Sequence, residues 1–439
     1  MRGIWNILFP WGAMLVLLSA AALFFGADTP QLQLTISGLI LLLAALILVI
    51  TRYRIPSVVY WAAAIIALFM AKEAATGQLS YSMPDYAVLA AALALVLVGR
   101  SATLLAPRIT PIWNLMTLVF LCLSGWAFID FLTAPETIFG QPRPYHQDRL
   151  SAAFLSANVA ATFFGLVVLS GVTLVQQAMA KTPGRSLIAL LDGLFRHGAL
   201  GVVTVLVGTT CLMLTASRAG ITLCAMSVVI LIIWDIVGNR RDGTRAYVPV
   251  LIGLVAMAVI AGLILVTSGD VVGARYMDVE QSANSRSIMF AAYWQAHKAA
   301  PWFGHGLGSF AVVNASLLTA DNAHILTVQG AAHNIVLQWL IETGWVGVLL
   351  GGAFITGLMA RIWRGLKRRR RYRTYLRAIL CSGFFVLGHN LVDFSLEVPG
   401  VMWWWAMWLG FGVGIAEGHT TDRRSKSRAT PRHGPTKPA

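Results

Sequence analysis

The chain has 439 residues, of which 57% are hydrophobic and only 12% charged, and its formal net charge is +15. A soluble domain carries about 25% charged residues, so a soluble enzyme, a disordered chain and a disulfide-built secreted scaffold are all excluded. Repeated apolar runs long enough to cross about 30 Å of hydrocarbon point instead to an all-α polytopic membrane protein.

Twelve spans are predicted, near 5–25, 32–51, 57–72, 85–100, 112–131, 151–177, 198–216, 219–237, 247–267, 335–360, 376–393 and 400–416. The first run lacks a small-residue cleavage site and reads as a span rather than a signal peptide. The third and eleventh are short or polar at one end. The tenth has an alternative start at Trp345, with 335–343 lying along the interface. Residues 1–417 then make one transmembrane helical domain that includes a large periplasmic loop, 268–334, between the ninth and tenth spans. The remainder, 418–439, is a basic tail expected to be disordered. Cys122, Cys211, Cys224 and Cys381 all sit in apolar runs, as small hydrophobes do, and suggest no disulfide framework.

Charge sets the sidedness. Of the 33 Lys and Arg residues, 26 fall in one set of loops and 7 in the other. The positive-inside rule makes the first set cytoplasmic, together with both termini. The run Lys367-Arg368-Arg369-Arg370-Arg371 is read as a topology anchor facing anionic headgroups rather than a nucleic-acid patch, although the cluster from Arg361 to Arg377 is heavier than topology needs. Thirteen of the 18 acids and six of the nine histidines fall on the opposite, outer face. Two long outer loops, 132–150 and 268–334, are candidates for function. Within the second, a helix is expected from Asn284 to Ala299, capped by Asn284 or Ser285 and stopped by Pro301. The Gly-rich turn Gly304-His305-Gly306-Leu307-Gly308 follows.

Arg218 lies in Thr215-Ala216-Ser217-Arg218-Ala219-Gly220, a tight junction between two spans, where an ionised group normally has a partner or a task. The plain alternative is an Arg snorkelling to headgroups. Arg286, in the expected first turn of the loop helix, faces an unfavourable dipole that a bound anion would offset; an exposed loop Arg is the alternative. His333 and Asn334 precede the tenth span, and a histidine there suits a general base or a structural role. Asn158 sits in an otherwise apolar helix and needs a hydrogen-bond partner. Glu342, His389, Asn390 and Asp393 stand near outer helix ends, to orient a site or brace the bundle. Asp278 and Glu280 are a weak candidate for a divalent metal; no HxxxH or HExxH pair supports zinc.

Together these residues resemble the O-antigen ligase family of membrane glycosyltransferases, which includes related polysaccharide polymerases. Four segments carry the resemblance: Arg149-Leu150-Ser151-Ala152-Ala153-Phe154 with Asn158; Ser217-Arg218-Ala219-Gly220; Pro301-Trp302-Phe303-Gly304-His305-Gly306-Leu307-Gly308; and His333-Asn334-Ile335-Val336-Leu337-Gln338 running on to Glu342-Thr343-Gly344-Trp345-Val346-Gly347. The resemblance implies a metal-independent, cofactor-free transfer of a glycan from undecaprenyl pyrophosphate, with inversion, to an acceptor hydroxyl on the periplasmic face of a bacterial inner membrane. The acceptor would be the lipid A core or a related molecule for a ligase, and another lipid-linked repeat for a polymerase. It implies that Arg218 and Arg286 contact the pyrophosphate and that His333 assists the acceptor. Arg149, Asn158, His305, Asn334 and Glu342 are further candidates for substrate binding. His305 departs from the family pattern, which is often apolar there.

Physical chemistry agrees with that assignment. Transfer leaves negative charge on the diphosphate, and fixed guanidiniums aimed there stabilise the transition state more than the ground state. Arg offers planar bidentate contacts that Lys lacks. A lipid-linked glycan transporter or flippase is the alternative of another class, but its polar residues would line a path at mid-bilayer. Here they gather at one face.

Overall fold

The computed structural model describes residues 2–27, 29–53, 55–106, 108–143, 148–182, 187–238 and 272–418. The expected ninth span, 247–267, and the tail from 419 onward lie outside the described residues.

The described chain is a helical bundle: α1 (Arg2–Leu23), α2 (Pro30–Ile50), α3 (Ser57–Ala75), α4 (Leu79–Leu105), α5 (Thr110–Thr133), α6 (Ala157–Lys181), α7 (Leu187–Gly193), α8 (Ala199–Leu214), α9 (Arg218–Gly238), α10 (Val272–Ala299), α11 (Phe310–Ser316), α12 (Ala323–Leu326), α13 (Ile335–Arg368), α14 (Arg373–His389) and α15 (Pro399–Glu417). Eight helical stretches are long and apolar enough to cross a membrane. Helices also occupy the expected first, eleventh and twelfth spans. The outer loop after α5 holds a short antiparallel pair, Thr137–Ile138 with Gln141–Pro142, which the sequence pattern did not suggest.

Helix α6 is the centre of the bundle, buried along almost its whole length. Against it and α5 packs an aromatic cluster in which Trp113, Phe120, Trp404 and Trp408 are all fully buried. Lipid supplies little hydrophobic drive between helices, so close contact depends on small residues. Gly99 of α4 and Gly410 and Gly414 of α15 provide it: a Cβ at any of them would overlap the facing backbone.

Two expectations change here. The loop helix begins at Val272, not near Asn284, so Arg286 lies mid-helix. Nothing between Gly273 and Pro301 breaks a helix, and the residues there include good helix formers, so the helix extends back past the expected cap. Arg286 therefore does not sit against a helix N-terminus. The sixth span begins at Ala157 with Ser156 as its cap, because 152–154 form a separate 3-10 turn. Helix α13 breaks at Gly344 (φ 63°, ψ −168°), which separates a short first segment, 335–343, from the long span and matches the alternative start at Trp345.

Helix direction sorts the residues into two ends. At one end, Arg377 pairs with Asp235 and Arg100 with Glu417. At the other lie the junction of α8 and α9, the start of α6, the Gly-rich turn and the start of α13. The candidate residues collect at this second end.

Candidate functional site

Only three residues, Thr215, Ala216 and Ser217, join α8 to α9. Ala216 adopts a left-handed conformation (φ 50°), as do His333 (φ 52°), Leu155 (φ 59°) and Ala152 (φ 48°). Left-handed backbone costs an L-residue about 1–2 kcal/mol, and such strain tends to cluster at functional sites. These are four of the seven non-glycine cases among the described residues.

Arg149 ties two of these pieces together. Its Nε donates to the Thr215 carbonyl (2.8 Å) and one terminal nitrogen to Asn158 Oδ1 (3.2 Å), while the Leu150 amide donates to the Leu214 carbonyl (2.9 Å). Asn158 thus has the partner its place in α6 required. Burial lowers the Arg149 pKa; Asp148 opposes this, Arg218 adds to it and Asp393 opposes it. Arg218 and Asp393 therefore stand close enough to feel the same guanidinium.

Asn334 caps α13 by accepting from the Leu337 amide (3.0 Å) and donates to the Leu391 carbonyl (2.9 Å). That double anchor fixes the preceding His333 beside the loop that joins α14 to α15. His333 Nδ1 faces Asp393 Oδ1 at 4.0 Å, and its ring meets Phe394 edge-on. Burial lowers the His333 pKa; Asp393 opposes this and Arg286 adds to it. The imidazole is held neutral near pH 7, as a base must be, with a carboxylate in place to stabilise it once protonated. Arg286 thus reaches the His333 field from α10. Among the described residues, neither Arg218 nor Arg286 has an ion pair or a hydrogen bond, and both are exposed.

The other candidates lie elsewhere. His305 Nε2 donates to the Ala296 carbonyl (2.9 Å), and its amide donates to the Ile341 carbonyl (2.8 Å). Glu342 is buried and accepts from Gln338 Nε2 (2.9 Å). It stands nine residues along α13 from His333, about 13 Å at 1.5 Å per residue. It belongs to a second polar cluster with Glu73, Asp85 and Glu397, wrapped around the Gly-rich turn. Glu73 Oε1 accepts from the Leu307 amide (2.9 Å), and the Glu342 carbonyl accepts from Gly306 (2.9 Å). Burial, reinforced by Asp85, raises Glu397 to about 7. The two glycine motifs interlock: Trp345 and Val346 amides donate to the carbonyls of Pro301 and Trp302. Gly304 and Gly344 are both left-handed, and a Cβ on either would overlap the other segment's backbone.

Residues 203–351 match the O-antigen ligase family. No curated protein matches the chain. The O-antigen ligase segment contains Arg218, Arg286, His305, His333, Asn334 and Glu342, whereas Arg149, Asn158 and Asp393 come from outside it. The candidate residues therefore come from the matching segment and from both of its flanks. Asp278 and Glu280 fall on helical residues whose side chains lie outside those described, so their metal-binding candidacy gains nothing. Among the described residues, no three His, Cys, Asp or Glu side chains are grouped to hold a metal.

Sequence reasoning named Asp393 only as a polar helix-end residue; its role beside His333 depends on a loop that returns 60 residues later. It also missed the apolar cavity of about 350 Å³ between α3, α4, α13 and α15, lined by Ile66, Phe69, Leu89, Trp339, Phe354 and Trp405. Ile335, two residues from His333, and Leu396, three residues from Asp393, lie on its wall. Its residues look like any lipid-facing stripe, and only the packing reveals a hollow.

Proposed function

We propose that this protein is a membrane glycosyltransferase that moves a glycan from undecaprenyl pyrophosphate to an acceptor hydroxyl at the periplasmic face of a bacterial inner membrane, without a metal. The observation that carries the reading is the pairing of two unpartnered guanidiniums, Arg218 and Arg286, with a His333 kept neutral by burial and backed by Asp393. In this reaction the acceptor O–H proton passes to His333. The acceptor oxygen bonds the anomeric carbon from the face opposite the diphosphate, and the bond from that carbon to the diphosphate oxygen breaks. Arg218 and Arg286 balance the charge released on the leaving group. Asp393 stabilises the imidazolium that forms.

The apolar cavity beside the site supports a lipid-linked substrate, because it offers a polyisoprenoid or acyl chain a place next to the reacting groups. Ligase and polymerase share this chemistry and differ in the acceptor; carrier-bound glycan of full length in a deletion strain marks a ligase, and single repeats mark a polymerase. The direct test is transfer by reconstituted protein. Arg218→Ala and His333→Ala should each abolish product formation while the protein still inserts and folds; full activity in both ends this reading.

A further inference from the structure

Behind the His333–Asp393 pair runs a buried chain of hydrogen bonds that the reaction described above does not use. Ser395 Oγ donates to Asp393 Oδ2. Thr162 Oγ1 of α6 donates to Ser395 Oγ at 2.7 Å and lies 2.7 Å from His389 Nδ1 of α14. His389 Nε2 lies 3.5 Å from Ser217 Oγ, and that oxygen accepts from the Gly220 amide at 3.4 Å. Thr162, Ser217, His389, Asp393 and Ser395 are all at most 3% exposed, so no substrate touches the middle of the chain.

The direction of every bond follows from its end. An ionised Asp393 only accepts, so Ser395 gives it a proton and takes one from Thr162. The Thr162 oxygen is then free to accept, which puts the His389 proton on Nδ1. Nε2 of the neutral ring accepts from Ser217, whose oxygen is left for Gly220. Each hydroxyl donates once and accepts once, each ring nitrogen makes one bond, and the run ends on the turn that carries Arg218. Gly220 makes the last contact possible: a Cβ there would lie 2.7 Å from Ala161 and 3.3 Å from the His389 ring.

We propose that Thr162, His389 and Ser395 are positioning residues that lock the Asp393 carboxylate in register with the arginine-bearing turn. This rests on the glycosyl-transfer reading. Ser395 occupies Oδ2, which leaves Oδ1, without a hydrogen bond among the described residues, to face His333. Apart from that one oxygen, the chain from Asp393 to Gly220 is continuously hydrogen-bonded; a buried network of this kind is rigid, and it joins α6, α9, α14 and the following loop at one point. It sets the distance between the groups that handle the acceptor proton and those that hold the leaving group.

The test uses the full-length protein in lipid with a lipid-linked glycan donor. Thr162→Val keeps the shape and removes the hydroxyl; Thr162→Ser restores it. Thr162→Val should lower kcat about 10- to 100-fold, the scale of a small misplacement of reacting groups, with donor KM within about twofold. The charged groups facing His333 are Asp393 from its loop and Arg286 from α10. Arg149 lies within the electrostatic reach of both Asp393 and Arg218. A loosened Asp393 raises the imidazole pKa less, so the acid limb of the kcat–pH profile should move to lower pH. Thr162→Ser should restore both rate and limb. Wild-type kcat and an unmoved acid limb in Thr162→Val overturn the proposal, as does a loss matched by a fall in the amount of folded protein. If Thr162→Val does not insert, the same pair of readouts on Ser395→Ala decides by the same criteria. A dead His333→Ala beside a normal Thr162→Val sinks this inference alone; an active His333→Ala sinks the transfer reading with it.

Discussion

Two polar clusters flank the short first segment of α13, and they are built on opposite principles. At its start, guanidiniums and an imidazole stand partly open, with Arg218 and Arg286 unpartnered among the described residues. At its far end, Glu73, Asp85, Glu342 and Glu397 are closed in around the Gly-rich turn, and Glu73 and Glu342 spend acceptors on its backbone amides. Charge left unsatisfied at a membrane edge is expensive and is retained where it has a ligand. A carboxylate that accepts from a loop's own N–H groups, as Glu73 does from Leu307, fastens that loop. His333 and Glu342 come from one sequence motif, whereas Glu73, Asp85 and Glu397 belong to none, and the hydrogen bonds each makes separate the candidate site from the brace.

That contrast predicts where substitutions hurt catalysis and where they hurt stability. After the loss of all transfer expected of Arg218→Ala and His333→Ala, the largest effect is expected at Arg286. Arg286→Ala should cut transfer about 10²- to 10³-fold, as loss of one preorganised charge donor does, while the thermal midpoint stays unchanged. A wild-type rate would show that α10 carries no part of the site. Next comes Asp393→Asn, with kcat expected to fall about 10- to 100-fold because the imidazolium loses its counter-charge. The sign of its pH effect is defined. His333 works as a neutral base, so activity is present above its pKa and fades as pH falls through it. Asp393 raises that pKa; without the charge the pKa falls, and the acid limb shifts to lower pH. A shift to higher pH would contradict the assigned pair. The smallest catalytic effect belongs to the carboxylate cluster. Glu73→Gln should cost about 1 kcal/mol of stability through its bond to the Leu307 amide and leave the rate per folded molecule within about twofold. A large loss of kcat there would erase the distinction between site and brace.

Several site residues were legible before any fold. Arg218 stood out because a two-span junction leaves a cation no room to withdraw, and His333-Asn334 because a polar pair opens an apolar run. Arg149 and Asn158 were named from their motif, yet their mutual bond was not readable. His305 and Glu342 came from the same kind of motif, and the fold puts them among the braces of the Gly-rich turn. Spacing along the chain does not distinguish a residue that faces a site from one that faces the neighbouring loop.

Composition alone determined that this chain lives in a bilayer as helices, because the surplus of apolar side chains has no other solvent and an isolated apolar segment satisfies its own backbone only as a helix. Local pattern offered Trp345 as an alternative start of the tenth span, and the break at Gly344, set against the Trp302 backbone, matches it. Which polar groups meet was decided by tertiary packing. The link from Ser217 through His389 and Thr162 to Asp393 joins residues more than 200 positions apart. Those bonds form where helices cross, and the crossing is set by glycine contacts and aromatic packing that act through space rather than along the chain.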